Sequence, residues 1–296
     1  MNVFSEIAKV RQRLGEARRL GKTVGLVPTM GSFHDGHLSL IAKAVADNDE
    51  VVVSVYVNPA QFGPTEDFDG YPRDIDRDVR LAARQGATIV FAPADSEMYP
   101  VGHRTIVSPE TIAKALCGKS RPGHFDGVAT VCAKLFNIIR PDRVYMGLKD
   151  YQQVLVVRQM IRDLDFDISV VAVPTVRDAE GLALSSRNRY LSEEERLAAY
   201  CLPRALADAQ ALLERGVTDV SLVRRKVLEQ VDENGLVELE YLSFCDPHTL
   251  VEVESIQGDT LVAIAARVGR ARLIDNCVLK AGELAASRRS AGSGGC

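Results

Sequence analysis

No stretch of this 296-residue chain approaches the roughly 20 consecutive apolar residues that span a bilayer, so a membrane-spanning helix is not among its building blocks. Neither a Walker phosphate loop nor a complete G-x-G-x-x-G occurs, and the two commonest signatures of phosphate and dinucleotide binding are missing. The six cysteines (Cys117, Cys132, Cys201, Cys245, Cys277 and Cys296) form no C-x-x-C pair. That spacing argues against a zinc ribbon and against a disulfide framework, and it fits reduced thiols, with Cys132 and Cys277 as small core residues among apolar neighbours. No Ser-His-Asp or Cys-His order suggests a catalytic nucleophile. Charge is modest, a formal −4, and offers no bulk attraction to nucleic acid or to anionic membrane. Met1 to Ile7 lacks the charged start and apolar core of a secretory leader, which together with the thiols predicts a cytoplasmic protein. With 46% hydrophobic and 26% charged residues, the chain reads as a globular protein of one large or two ordinary domains.

What is present centres on Pro28-Thr29-Met30-Gly31-Ser32-Phe33-His34-Asp35-Gly36-His37. A β-branched run, Thr23 to Val27, precedes it, and Leu38, Ile41, Ala44 and Val45 follow at helical spacing. Strand, glycine turn and helix start form a geometry that aims backbone amides and a helix dipole at an anion. His34 and His37 add ring donors and, when protonated, positive charge. Two histidines at i, i+3 could also share a zinc ion. No carboxylate or Cys stands beside them at ligand spacing, so the turn is read as a phosphate site with no protein-held metal.

Along the chain, residues 3 to 19 have the spacing of an amphipathic helix. Val51 to Val57 is a strand too continuously apolar to have a wet face, and it ends in the loop Asn58 to Gly63. Asp74 to Gln85 predicts a helix closed by Gly86, and Thr88 to Ala92 a third strand. Asp95 to Gly127 is irregular, with a short helix at Pro109 to Leu116, and a strong helix follows with Val128, Val131, Leu135 and Ile138 on one face. Arg143 to Met146, the loop Gly147 to Asp150, the helix Tyr151 to Asp163 and the strand Ile168 to Val173 continue the alternation. This rhythm predicts an α/β, Rossmann-like doubly wound parallel sheet over residues 1–176, with ligands beyond the carboxyl ends of its strands. A smaller α+β C-terminal domain follows over 177–283, with helices at Ser192 to Glu214 and Val220 to Glu233. Its strands are Val237 to Phe244, Thr260 to Arg267 and Ala271 to Val278. The Gly/Ser-rich tail, 284–296, is expected to be disordered.

The loops carry a consistent kit. Lys149 can reach phosphates docked on the first turn, while Asp150 has a simpler reading as the cap of the next helix. Asn58, Gln61 and Gln153 are uncharged amides suited to a small polar acid. Ser185-Ser186-Arg187 pairs hydroxyl donors with a guanidinium, a phosphate clamp that domain closure could bring into place. Donors and cations without a nucleophile suit attack on a nucleotide α-phosphate, where positioning and charge stabilisation suffice.

His34-Asp35-Gly36-His37 resembles the H-x-G-H signature of the nucleotidyltransferase superfamily. A wider set resembles one family in it, in order and at family spacing over about residues 1 to 283. The set comprises Pro28 to His37, Val57-Asn58-Pro59 with Gln61-Phe62, Tyr71-Pro72-Arg73, Arg121-Pro122 with His124-Phe125 and Gly127-Val128, Gly147 with Lys149 to Gln153, and Ser185 to Asn188 with Tyr190-Leu191. That family is the pantoate–β-alanine ligases, or pantothenate synthetases. The resemblance implies ATP-dependent condensation of (R)-pantoate with β-alanine through a pantoyl adenylate, with Mg2+ arriving on ATP and a homodimer as the assembly. It implies ATP contacts from Met30, Gly31, Ser32, Phe33, His34, Asp35, Gly36, His37, Gly147, Leu148, Lys149, Asp150, Val176, Leu184, Ser185, Ser186 and Arg187, the last three on a lid. Gln61 and Gln153, with Asn58 nearby, would hold pantoate, and His37 would be the proton donor. Leu148 and Leu184 depart from the polar residue and the Met that the family often has there. Another nucleotidyltransferase and a non-catalytic nucleotide sensor are the competing readings.

Overall fold

A computed structural model describes residues 1–64, 66–232 and 235–280. The chain divides into two compact units, Met1–Val176 and a second beginning at Arg177. In the first, β1 (Asn2–Phe4) and α1 (Ile7–Arg19) are followed by β2 (Val24–Thr29), α2 (Asp35–Asp47), β3 (Glu50–Val55), α3 (Ile75–Arg84) and β4 (Ile89–Phe91). Short helices α4 (Asp95–Met98), α5 (Glu110–Ala113) and α6 (Cys117–Ser120) then lead to α7 (His124–Ile139), β5 (Arg143–Gly147), α8 (Tyr151–Asp163) and β6 (Ser169–Val173).

The six strands form one sheet in the order β1-β4-β3-β2-β5-β6, every neighbour parallel. Val51, Val52 and Val53 are almost fully buried, as expected of a central strand covered on both faces. Val27, Val51, Val53, Val90 and Tyr145 pack with Phe33, Ile41 and Ala44 on the α2 and α3 side. The helix expected from residue 3 begins only at Ile7. Residues 2 to 4 instead extend the sheet, Asn2 opposite Ile89, and the Ile7 amide is taken by Glu97 Oε1 at 2.7 Å. The unpaired edge of β4 outweighs the helical spacing of Phe4.

The strand order reverses between β2 and β5, the place where doubly wound sheets open a ligand crevice. Here the opening has a covalent origin. The Thr23 and Thr29 carbonyls accept from Glu50 and Tyr56 of the β3 side, while Val24 bonds Asp142 at the start of β5. By alternation Pro28 faces β5, and it has no N–H to offer. The β2–β5 ladder ends at Leu26–Val144, two residues earlier.

The second unit contains α9 (Glu193–Ala199), α10 (Cys201–Glu214), α11 (Val220–Asp232) and strands β7 (Val237–Cys245), β8 (Thr260–Val268) and β9 (Ala271–Leu279). The strands form an antiparallel sheet with β8 central, and Val262, Ile264 and Ala266 pack against Leu202, Leu206 and Val223. The single helix expected over Ser192 to Glu214 is broken at Tyr200, because Pro203 has no N–H for the Ala199 carbonyl. The unit's first residue, Arg177, is tied down by a bidentate bond to the buried Asp275 carboxylate at 2.6 and 2.8 Å. Cys117, Cys132, Cys201 and Cys245 are buried and Cys277 is half-buried, none of the five in a disulfide. None of the described helices is long and apolar enough to cross a membrane. The Gly/Ser-rich tail with Cys296, and the last residue of the helix expected to end at Glu233, lie outside the described residues.

Candidate active site

The turn after β2 is held by a side chain that sequence reasoning passed over. Asp78, in the first turn of α3 and fully buried, accepts the Ser32 amide at 2.7 Å and the Phe33 amide at 2.8 Å. Burial pushes its carboxyl above the ordinary value, against the opposing pull of the two amides. Gly31 and Ser32 adopt φ of 83° and 54°, so the chain turns through two successive left-handed residues. A Cβ on Gly31 would sit 2.8 Å from Asp78 Oδ2 and would need that φ as well, so only glycine suits the position.

The amides of this turn are committed to the protein itself. Gly31 N–H donates to Thr29 Oγ1, Ser32 and Phe33 to Asp78, His34 to His37 Nδ1, Gly36 to His34 Nδ1, and His37 and Leu38 to the His34 carbonyl. Of residues 31 to 38, only Asp35 keeps an amide without an acceptor among the described residues. The turn spends these amides on its own shape, and the Phe33 ring is core. What it presents instead are imidazoles.

Because Nδ1 of both rings accepts an amide proton, the neutral tautomer of each carries its hydrogen on Nε2. The ring centroids lie 4.2 Å apart. Burial, then the Lys149 charge, lowers His34 to about 4. Burial, then His34 and Lys149, lowers His37 to about 3. Both rings are neutral at pH 7, so of the two contributions open to them they make the ring donation and not the positive charge. The positive charge belongs to Lys149, in the turn after β5.

The turn after β3 meets this one through Gln61, whose Nε2 lies 3.1 Å from Met30 Sδ. Its carbonyl accepts from His124 Nδ1 at 2.8 Å, and His124 Nε2 faces Arg121 at 3.0 Å. Arg121 in turn holds Glu66 through Nε at 2.6 Å and Nη2 at 2.5 Å. Gly127 completes this packing: a Cβ there would lie 2.2 Å from the Ala60 carbonyl oxygen. The Asp150 charge acts on both His34 and His124, which places the turn after β5 beside both. Met30, His34, His37, Gln61, Lys149 and Asp150 are thus brought together. Asp150 makes no cap to α8, so its simpler reading fails, and it lies 3.7 Å from Lys149.

Other expected residues stand differently. Asn58 is wholly buried and spends its amide on protein partners, Gln61 and Gly127 among them. Gln152, not Gln153, is the structural member of its pair, bonding the Cys117 amide and the Ile112 and Ala115 carbonyls. Gln153 is half-exposed, and no hydrogen bond joins it to Gln61 among the described residues. Gly147, Leu148 and Val176 are half-exposed at the end of β5 and of the unit. Within the second unit, Leu184, Ser185, Ser186 and Arg187 are half-exposed, and Ser185 Oγ caps a short turn by accepting the Arg187 amide at 3.3 Å. Asp78, Arg121 and His124 are the residues without an assigned role in the sequence reading. Asp78 looked like one more acid opening a helix.

Asp78→Asn is expected to leave one of the two turn amides facing an amide donor. The expected loss is about 1–3 kcal/mol of stability in urea denaturation, and an unchanged midpoint would contradict the pinning role. The histidine ring protons, followed by NMR against pH, are expected to titrate near 4 and 3. A midpoint near 6.5 for either ring would contradict the burial and tautomers described. Because both folded values lie below the unfolded one, the stability linked to the pair is fully present above about 6.5 and is lost as pH falls through about 4 and about 3.

Residues 2–278 match the family model of pantoate-beta-alanine ligases. The pantothenate synthetase of Moorella thermoacetica is 50% identical over 280 residues, 95% of this chain and 99% of the relative. That of Geobacillus kaustophilus is 50% identical over 95% of this chain and 93% of its own length. The crystal structure of the Thermus thermophilus enzyme superposes with a TM-score of 0.90 at 45% identity, covering 94% of this chain and 99% of that one. The Francisella tularensis pantoate-beta-alanine ligase, crystallised with beta-gamma ATP and beta-alanine, superposes with a TM-score of 0.79 at 32% identity over 94% and 97% of the two chains. With a family model that matches nearly its whole length and relatives half identical to it, this chain belongs to the pantoate–β-alanine ligase family.

Proposed function

We propose that this chain joins (R)-pantoate to β-alanine at the expense of ATP, in the cytoplasm, by way of a pantoyl adenylate. The observation that carries the reading is the cluster of donors at the switch point: two neutral imidazoles, the Lys149 ammonium and the Gln61 amide, drawn from three loops of one sheet. In the first step a pantoate carboxylate oxygen attacks the α-phosphorus and pyrophosphate leaves. Charge that grows on the phosphate oxygens would be met by Nε2–H of His34 and His37 and by Lys149, groups set in place before the substrate arrives. A ring with a value of about 3 is a poor proton reservoir near pH 7, so His37 is assigned hydrogen-bond donation in place of the expected proton transfer. In the second step the β-alanine amine attacks the acyl carbon and AMP departs, the amine losing a proton as the amide forms.

Gln61 and Gln153 are proposed to hold pantoate, Asn58 acting behind Gln61. Gly147, Leu148, Asp150, Val176 and Leu184 are proposed around the nucleoside, and Ser185, Ser186 and Arg187 as phosphate ligands. Among the described residues no group of three His, Cys, Asp or Glu side chains is placed to hold a metal, so Mg2+ is proposed to arrive as part of the ATP substrate. A homodimer is proposed through the first unit. β6 is an outer strand of the sheet, and Val170, Val171, Ala172 and Val173 are only half-buried along it.

Pyrophosphate release is expected only when pantoate accompanies ATP and Mg2+, with AMP and pantothenate appearing only after β-alanine is added. Turnover with another acid or alcohol instead would replace the substrate and keep the site. ATP binding with no turnover would favour a nucleotide sensor. His37→Ala is expected to slow adenylate formation by about 100-fold or more with its unfolding midpoint retained, and a few-fold loss would remove the ring from the chemistry. Light scattering is expected to return twice the mass of one chain; a monomer would discard the dimer.

A further inference from the structure

Among the side chains around Gln61 that the proposed reaction does not use is Tyr99, from the segment between β4 and α7. Its hydroxyl donates to Asn58 Oδ1 at 2.9 Å. The same oxygen accepts the Ala60 amide at 3.3 Å, while Asn58 Nδ2 donates to the Gly127 carbonyl at 3.0 Å and to Gln61 Oε1 at 3.1 Å. A backbone amide can only donate and a carbonyl can only accept, so the orientation of the Asn58 amide is settled by the main chain. The orientation of Gln61 follows: its oxygen faces Asn58, and its Nε2 faces Met30 Sδ at 3.1 Å. Thioether sulfur is a weak acceptor that a ligand oxygen would readily replace. Toward Met30 and the site Gln61 therefore presents its donor end, with its oxygen turned to Asn58.

Two donors and two lone pairs are all that an asparagine amide has, and Asn58 uses every one on protein. Its bond from Ala60 is long, and the shorter one comes from Tyr99. The tyrosine is itself held in place: Lys134 Nζ lies 5.6 Å from its ring centroid, the His103 ring meets it edge-on at 5.0 Å, and its amide bonds the Asp95 carbonyl at 2.6 Å.

We propose that Tyr99 is a positioning residue for pantoate recognition: through Asn58 it holds the Gln61 amide with its N–H toward an acceptor oxygen of the acid. The proposal rests on the reading of Gln61 as a pantoate ligand, and the chain of bonds Tyr99–Asn58–Gln61 has a defined direction, each group donating to the next. Removing the first donor leaves the ring and its packing intact but frees Asn58 to shift, so the effect is confined to the acid and spares the nucleotide.

Steady-state kinetics of Tyr99→Phe, Gln61→Ala and the double variant test this, with the KM for pantoate and for ATP measured on each folded enzyme. Tyr99→Phe is expected to raise the pantoate KM about three- to tenfold with the ATP KM within about twofold of the parent, and to add nothing in the Gln61→Ala background. Asn58→Asp, which sets oxygen against the Gln61 oxygen and turns that amide over, is expected to raise the pantoate KM further still, and it provides the readout should Tyr99→Phe not fold. If Gln61→Ala raises the pantoate KM and Tyr99→Phe does not, the relay is overturned and the Gln61 reading stands. If Gln61→Ala leaves it unchanged, that reading falls and the relay falls with it. Equal rises for both substrates, or additive effects in the double variant, would overturn the relay in favour of a merely structural tyrosine.

Discussion

The Asp78 carboxylate reaches from the start of α3 to the amides of Ser32 and Phe33, and the backbone between β2 and α2 follows from that contact. Two left-handed residues in succession are unfavourable for any chain that includes a serine, and a buried carboxylate is unfavourable without partners. Each resolves the other. Once the turn is fixed, His34 falls at the helix N-cap and His37 one turn in, where each Nδ1 collects an amide and each Nε2 is left with its proton. The chemistry of the site depends on a hydrogen-bonding pattern that begins 46 residues away along the chain.

That distance also explains what could and could not be read from the amino acids. The parallel sheet was legible because Val51 to Val55 has no polar face, and the positions of the loops followed from the strands. The meeting of Met30, Gln61 and Lys149 was legible in the same way, since successive strands of a parallel sheet deliver their loops to one edge. Asp78 was not, because an acid in the first turn of a helix already has a local explanation. The break at Tyr200 was missed although Pro203 was in plain view, since apolar periodicity continues across it.

The donors of the turn illustrate the limits of reading a motif by its backbone. A glycine-bearing strand-to-helix turn suggests free amides, and here nearly all are consumed within the protein. The proposed ligand-facing role passes to side chains whose orientation is set by those same amides. Desolvation and the Lys149 charge then keep the rings neutral, so that the histidines contribute direction and the lysine contributes charge. Gln61 fits the same division, its oxygen turned toward Asn58 and its N–H toward Met30.

Pro28 has a consequence for how a substrate enters. In a continuous sheet, a molecule lodging between two adjacent strands would first have to separate hydrogen bonds along their shared edge, and entry would carry that barrier each time. The ring nitrogen of Pro28 has no hydrogen with which to form such a bond, and on its side of β2 the ladder stops at Leu26–Val144. The early end of that ladder is a standing property of the covalent chain, present in every molecule from the moment the sheet forms.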